Sequence, residues 1–102
     1  MAILHTVNKS PFERDALESC LRHAREGSAI LFIEDGVYAL LRETEHAARV
    51  GQTAARFKLY ALGPDLEARG IRPERLIEGV TLVDYHGFVD LAVAHDRVQS
   101  WL

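Results

Sequence analysis

The sequence predicts an α/β fold of three layers, in which helices cover both faces of a parallel sheet. Short apolar runs typical of strands alternate along the chain with longer segments whose apolar residues recur three and four positions apart, as in helices. The links between these segments are short, and a chain that returns to a parallel strand must first cross over, usually through a helix. A chain of 102 residues is enough for one core, so we expect a single domain, 1–102.

The first half of the chain contains two strands, each followed by a helix. Ala2 to Val7 is a compact apolar run. Ser10, three residues before Glu13 and directly before Pro11, forms a capping-box pattern that predicts a helix from there to Gly27. The run 28–33 is continuously apolar, as in a strand that is buried on both faces. A second helix, ending near Gly51, is predicted by apolar positions at helical spacing: Val37, Leu40, Leu41, Thr44 and Ala48.

The second half repeats the alternation. Lys58 to Leu62 is predicted to be a third strand, and the segment 63–70 a short helix closed by Gly70. Val80 to Val83 is the fourth strand, after which Asp84 is placed to cap a fourth helix. The segment 97–102 is expected to add a last short strand.

Composition limits the classes of function. Apolar residues make up 48% of the chain, charged residues 26%, and the net charge is −3 without basic clusters, so direct binding of nucleic acid is not expected. The longest uncharged apolar run, 28–33, is far shorter than the roughly 20 residues that cross a bilayer, and the first residues do not resemble a signal peptide. We therefore expect a cytoplasmic protein without a membrane partner.

The loops at the carboxyl ends of the strands, where open parallel sheets bind ligands, show no strong site pattern. The first, 8–11, has no glycine with which to surround a phosphate, so no nucleotide cofactor is expected. Asp35 and Asp84 follow the second and fourth strands and offer carboxylates for magnesium. The third strand ends in Leu62 and Gly63, without an acidic residue. Asp35 is more simply explained as a turn residue and Asp84 as a helix cap, and we expect no metal.

The histidines also form no close ligand pair. His5 lies within an apolar strand, where a hydrogen-bonded core histidine is the commoner outcome. His86 is the one histidine placed where ligands bind in such sheets, at the rim after the fourth strand and beside Gly87. The full set is His5, His23, His46, His86 and His95.

Cys20 is the single cysteine of the chain. It falls within the apolar stripe of the first predicted helix, opposite a ladder of charges four residues apart: Arg14, Glu18, Arg22 and Glu26. A reactive thiol needs a lowered pKa and access for its partner, yet Cys20 is too far along the helix to benefit from its N-terminal dipole. His23 is its one candidate activator. Sequence physics favours a structural cysteine and leaves a reactive one as the alternative.

Four stretches together resemble the DsrH/TusB family of sulfur-transfer proteins. They are "LHTVNKSPF", "ILFIEDGVYAL", "KLYALGPDLEARGI" and "VTLVDYHGFVDLAVAHDRVQSWL", and they span nearly the whole chain. The resemblance implies a DsrE-like, flavodoxin-like fold without a cofactor. It also implies a dimer of heterotrimers with paralogous DsrE- and DsrF-like subunits. Such a complex relays persulfide sulfur to a DsrC- or TusE-type acceptor.

In the subunit that carries the persulfide in this family, a cysteine follows the third strand and opens a helix. Leu62 and Gly63 stand at that position here, so the resemblance implies that this chain lacks the principal carrier thiol. Two hypotheses follow: an architectural or docking subunit, or a subunit in which Cys20 is a secondary persulfide carrier. The pathway is expected to be sulfur oxidation, with transfer-RNA 2-thiouridine synthesis as the alternative.

Apolar residues are numerous at the end of the chain, and we expect partner subunits to cover some of them. An alternative is that they close the same core. They are Tyr85, Phe88, Val98, Trp101 and Leu102.

Overall fold

The computed structural model describes residues 2–12, 15–53 and 55–102, and it confirms the predicted α/β class. Five strands, all parallel, form one sheet in the order β4-β3-β2-β1-β5. The strands are β1 (Ile3–Val7), β2 (Ala29–Phe32), β3 (Lys58–Leu62), β4 (Val80–Val83) and β5 (Arg97–Trp101). The helices are α1 (Ala16–His23), α2 (Ala47–Thr53), α3 (Gly63–Ala68) and α4 (Tyr85–Ala94), with 3₁₀ segments at Glu34–Leu40 and Pro73–Arg75.

Most of the buried apolar side chains lie on one face of the sheet. There Ile30 and Phe32 of β2 pack in one cluster with residues of α1, the first 3₁₀ segment, α2 and α3. The opposite face is built on Leu4, Ala29 and Leu31, against which Phe88, Leu91 and Ala92 of α4 pack. Because side chains alternate along a strand, neighbours such as Ile30 and Leu31 belong to opposite layers.

The first helix begins later than the capping-box pattern predicts. The Ser10 hydroxyl accepts the N–H of Phe12 (3.2 Å), two residues on, which makes a local turn instead of a helical cap. α1 begins at Ala16, with the Asp15 carbonyl accepting from Ser19 N–H (3.0 Å). Glu13 of the predicted capping box and Arg14 of the predicted ladder lie outside the described residues.

The second helix is two segments, so the prediction of one continuous helix was wrong. Leu41 is extended and forms an antiparallel bridge with Leu76. Arg42 N–H donates to Arg75 O (2.8 Å), and Ile77 N–H donates to Leu40 O (2.9 Å). The backbone N–H and C=O groups at 40–42 are thus satisfied by hydrogen bonds to the segment 75–77. Because these groups have partners outside a helix, the chain leaves the helical conformation at this point.

Gly36 is required by a close approach between two segments. A Cβ at this position would lie 2.0 Å from the carbonyl oxygen of Val7, at the end of β1. Gly36 N–H also donates to Ile33 O (2.8 Å), which starts the 3₁₀ turn directly after β2. The Asp-Gly-Val stretch thus places the turn against the carboxyl end of the sheet.

Candidate functional site

Cys20 lies on the sheet-facing side of α1 and is completely buried, with 0% of its surface exposed. The residues buried with it on α1 are Ala16, Leu17 and Leu21, and the spacing of three and four among these four residues makes one apolar stripe. The sequence predicts this placement correctly. Burial raises the pKa of the Cys20 thiol to about 12, because the thiolate loses its hydration inside the core.

His23, the candidate activator, has contacts that involve other residues. Its Nδ1 donates to the carbonyl of Ser19 (2.7 Å). Its ring stacks on Trp101, with 5.7 Å between the ring centroids and 27° between the planes. The structure thus places His23 against β5 and gives the Cys20 thiol no activating contact with it.

The junction of β3 and α3 is the position at which the sequence resemblance implies a carrier cysteine in other subunits. Here Leu62 is buried and Gly63 opens α3, followed by Pro64. A Cβ on Gly63 would approach Val83 O no closer than 3.5 Å, an ordinary contact. The backbone at Gly63 therefore has room for a Cβ, so crowding at that atom does not explain the glycine.

A pocket of about 540 Å³ opens beside this junction, at the carboxyl ends of β3 and β4. Asp84 lines it and caps α4 by accepting the Gly87 N–H (2.8 Å), which confirms its predicted role. Gly87 is needed because a Cβ there would lie 2.8 Å from the Cβ of Val83. The pocket residues are Gly63, Pro64, Glu67, Leu82, Val83, Asp84 and Gly87. None of these seven residues carries a thiol or a hydroxyl group.

The carboxylates at this edge have partners within the protein. Arg69 of the loop after α3 donates to Asp35 through Nε (3.0 Å) and Nη2 (2.9 Å). Asp65 accepts the Glu34 N–H (2.6 Å). The ion pair between Asp35 and Arg69 therefore joins the turn after β2 to the end of α3. Within residues 2–12, 15–53 and 55–102, no group of three His, Cys, Asp or Glu side chains is arranged to hold a metal ion.

His5 is a buried core histidine with a hydrogen bond, as predicted. It is 4% exposed, and its Nδ1 accepts from the indole N–H of Trp101 (3.0 Å). Sequence reasoning missed the partner because Trp101 is 96 residues away, and only the pairing of β5 with β1 brings the two together. The periodicity of either segment carries no signal for this contact. His86 is exposed at the rim, beside Asp84.

The end of the chain is divided between core and surface. Phe88 is partly buried against the cluster on the α4 face of the sheet, and Trp101 is partly buried against the larger cluster on the α1 face. Tyr85, Val98 and Leu102 are exposed. Tyr85 also begins an exposed apolar stripe along α4 that continues at Val89 and Val93. The exposed fractions along the stripe are 61% for Tyr85, 60% for Val89 and 80% for Val93. In the described residues no helix is long and apolar enough to cross a membrane.

The fold is shared with a solved structure of low sequence identity. The protein MTH1491 of Methanobacterium thermoautotrophicum, described as of unknown function, superposes with a TM-score of 0.77 over 96% of this chain and 97% of that one. Its sequence identity of 18% shows the fold alone.

Other proteins match this chain at higher sequence identity. Protein TusB of Pectobacterium parmentieri is 39% identical over 99 residues, and Protein TusB of Escherichia coli K12 is 34% identical over 99 residues. Each alignment covers 97% of this chain and 100% of the relative. Residues 9–98 match the family model described as DsrH like protein. The resemblance inferred from the sequence is thereby confirmed, and the chain belongs to the DsrH/TusB family.

Proposed function

We propose that this chain is a non-catalytic subunit of a cytoplasmic sulfur-relay complex. In that complex it assembles with DsrE- and DsrF-like subunits as a dimer of heterotrimers and helps to form the surface on which a DsrC- or TusE-type acceptor docks. The observation that carries the proposal is the absence of an accessible thiol. Cys20 is the single cysteine and is 0% exposed, while Leu62 and Gly63 occupy the β3–α3 junction.

Sulfur transfer between cysteines requires both a thiolate and an open approach. The attacking thiolate forms a new S–S bond to the outer sulfur of the donor persulfide, and the old S–S bond breaks as the donor leaves as a thiolate. With a pKa raised to about 12, the Cys20 thiol is almost entirely protonated at neutral pH. Its burial also blocks the in-line approach of a second sulfur, so both requirements fail in this conformation.

The exposed stripe of α4 supports an assembly role. Tyr85, Val89 and Val93 are four residues apart and therefore lie on one side of the helix. Polar residues His86 and Asp90 lie beside them along a shallow surface pocket. A contiguous apolar surface with polar neighbours is typical of protein interfaces.

The alternative is that Cys20 is a secondary persulfide carrier. That role requires α1 to move away from the sheet, because the thiol lies within the main apolar cluster. It also requires the complex to lower the pKa of the thiol from about 12. The cost of opening a core helix makes this the weaker hypothesis.

The two hypotheses are separated by sulfur loading of the complex reconstituted from this chain and the DsrE- and DsrF-like subunits. Native mass spectrometry measures stoichiometry and added sulfur, and a persulfide-specific label locates the sulfur. For the architectural role we expect Cys20→Ala to leave transfer to the acceptor unchanged, with no label on Cys20. The matched control replaces the carrier cysteine of the DsrE-like subunit and abolishes transfer.

A label on Cys20 together with loss of transfer in a correctly assembled Cys20→Ala complex overturns the proposal in favour of the carrier role. Failure of this chain to enter the complex at all also overturns it. Supplying a DsrC-type and a TusE-type acceptor in parallel identifies the pathway. We propose sulfur oxidation, which predicts faster transfer to the DsrC-type protein. Transfer-RNA 2-thiouridine synthesis is the alternative and predicts the reverse.

A further inference from the structure

A pocket of about 260 Å³ lies between the end of α1 and the edge strand β5, away from the β3–α3 junction. Its wall is aromatic on one side, where the rings of His23 and Trp101 stack. Arg97 supplies a positive charge, and no carboxylate among the described residues lines the pocket. The lining residues are Ile3, His5, His23, Arg97, Gln99 and Trp101.

The hydrogen bond from Trp101 decides which nitrogen of His5 carries the proton. An indole N–H can only donate, so His5 Nδ1 must be the acceptor and the proton of the neutral ring lies on Nε2. Burial lowers the pKa of His5, which favours this neutral form. The Nε2–H is thus a fixed hydrogen-bond donor.

This donor is buried and lacks a partner. His5 Nε2 has no hydrogen-bond acceptor among the described residues, although His5 is only 4% exposed. Buried polar groups are nearly always paired, and an exception calls for a specific explanation such as a bound ligand or ion. Because His5 lines the pocket, an acceptor atom bound there would supply the missing bond once a small side-chain shift uncovers Nε2.

Arg97 determines the charge of such a ligand. The register pairs Arg97 with Ile3, Gln99 with His5 and Trp101 with Val7, so Arg97, Gln99 and Trp101 alternate onto the same face of the sheet as His5. Arg97 is exposed and forms no ion pair with any residue in the described ranges. A free guanidinium recognises carboxylates and other oxyanions through paired N–H donors.

We propose that this pocket binds a small oxyanion of carboxylate or sulfate size. Arg97 holds the charge, the Nε2–H of His5 contributes the buried donor, and the stacked rings of His23 and Trp101 form the wall. Neither Cys20 nor the β3–α3 junction lines this pocket, and the proposal does not depend on the proposed function.

Trp101 is the single tryptophan of the chain, so its fluorescence reports directly on the pocket. The purified full chain is titrated with sodium acetate and, separately, with sodium sulfate at an ionic strength held constant with sodium chloride. We expect saturable changes in emission and a matching shift of the His5 Nε2 resonance in nitrogen-15 spectra. Stronger binding of acetate identifies a carboxylate site, and stronger binding of sulfate identifies a site for tetrahedral oxyanions.

Arg97→Gln removes the charge at an exposed position, and we expect anion binding about tenfold weaker or worse. The matched control, Lys58→Gln, removes an exposed cation at the start of β3, outside this pocket, and should bind as the unmodified chain does. The proposal is overturned if neither anion changes the Trp101 emission or the His5 resonance. It is overturned equally if Arg97→Gln and Lys58→Gln bind with the same affinity.

Discussion

The helices on the two faces of the sheet differ in how deeply this chain buries them, although Leu4 and Leu31 of the sheet beneath α4 are also 0% exposed. On the α1 face, Phe32, Ile30 and Leu40 are 0% exposed, and α1 contributes a full buried stripe. On the other face α4 has no buried residue, although its Phe88 packs against the sheet. The chain thus completes one layer by itself and leaves the second with an open apolar surface. Under the proposed assembly role, a partner subunit covers that surface.

The sharpest test of this difference truncates one side chain to alanine on each face of the sheet. Phe32 is 0% exposed, so Phe32→Ala leaves a cavity in the core. We expect this variant to lower the free energy of unfolding by about 3–5 kcal/mol. Chemical denaturation of the purified chain measures the loss. The counterpart Val93→Ala, at 80% exposure on α4, should change it by less than about 0.5 kcal/mol. Equal losses in the two variants would remove the distinction between the faces.

Alkaline pH probes the α1 face through Cys20. Because the folded pKa of about 12 exceeds the ordinary value of 9.0, the unfolded chain ionises first, so this contribution to stability is lost as pH rises above 9. The expected slope is about 1.4 kcal/mol per pH unit between the two pKa values. Denaturation curves at about pH 9, 10 and 11 should approach this slope in the unmodified chain and lose it in Cys20→Ala. A slope that persists in Cys20→Ala would mean that the thiol is not its source.

Acidic pH probes the edge of the same face through His5. Its pKa is lowered in the folded chain, so the unfolded chain takes up a proton first, and stability should fall as pH drops below the ordinary value of 6.5. A single group contributes at most about 1.4 kcal/mol per pH unit. Denaturation at pH 7.5 and 5.5 should show a larger drop in the unmodified chain than in His5→Gln. An identical drop in both would exclude His5 as the cause.

The smallest effect on stability is expected on the open face. Val89→Ser on the α4 stripe should alter the free energy of unfolding by less than about 0.5 kcal/mol, because the side chain is 60% exposed. The same change should weaken entry of the chain into the sulfur-relay complex, measured by native mass spectrometry. Glu78→Gln, an exposed change outside α4, is the control and should assemble normally. Normal assembly of Val89→Ser would remove this stripe from the interface.

Local sequence patterns account for most of the elements. The sequence predicts the bounds of all five strands within a residue. The clearest case is β2, whose four residues are all buried and apolar, as is typical of a central strand in a parallel sheet. The edge strand β5 is mostly polar and exposed and is not such an apolar run. Gly70 closes the α3 segment at a φ of +66°, where glycine is favoured, and Asp84 caps α4. Patterns fail where a distant segment competes for the backbone. Leu41 leaves its helix because Leu76, far along the chain, bridges to it.

The sequence by itself determined the alternation of strands and helices, the apolar position of Cys20, and the lack of a thiol at Leu62 and Gly63. These are properties of residue type and short-range spacing. Only the tertiary structure decided that α4 lies open and that the indole N–H of Trp101 bonds to His5. The hydrogen bond depends on β5 pairing with β1 at the edge of the sheet, a contact across nearly the whole chain. Periodicity within a window of a dozen residues carries no information about such a contact.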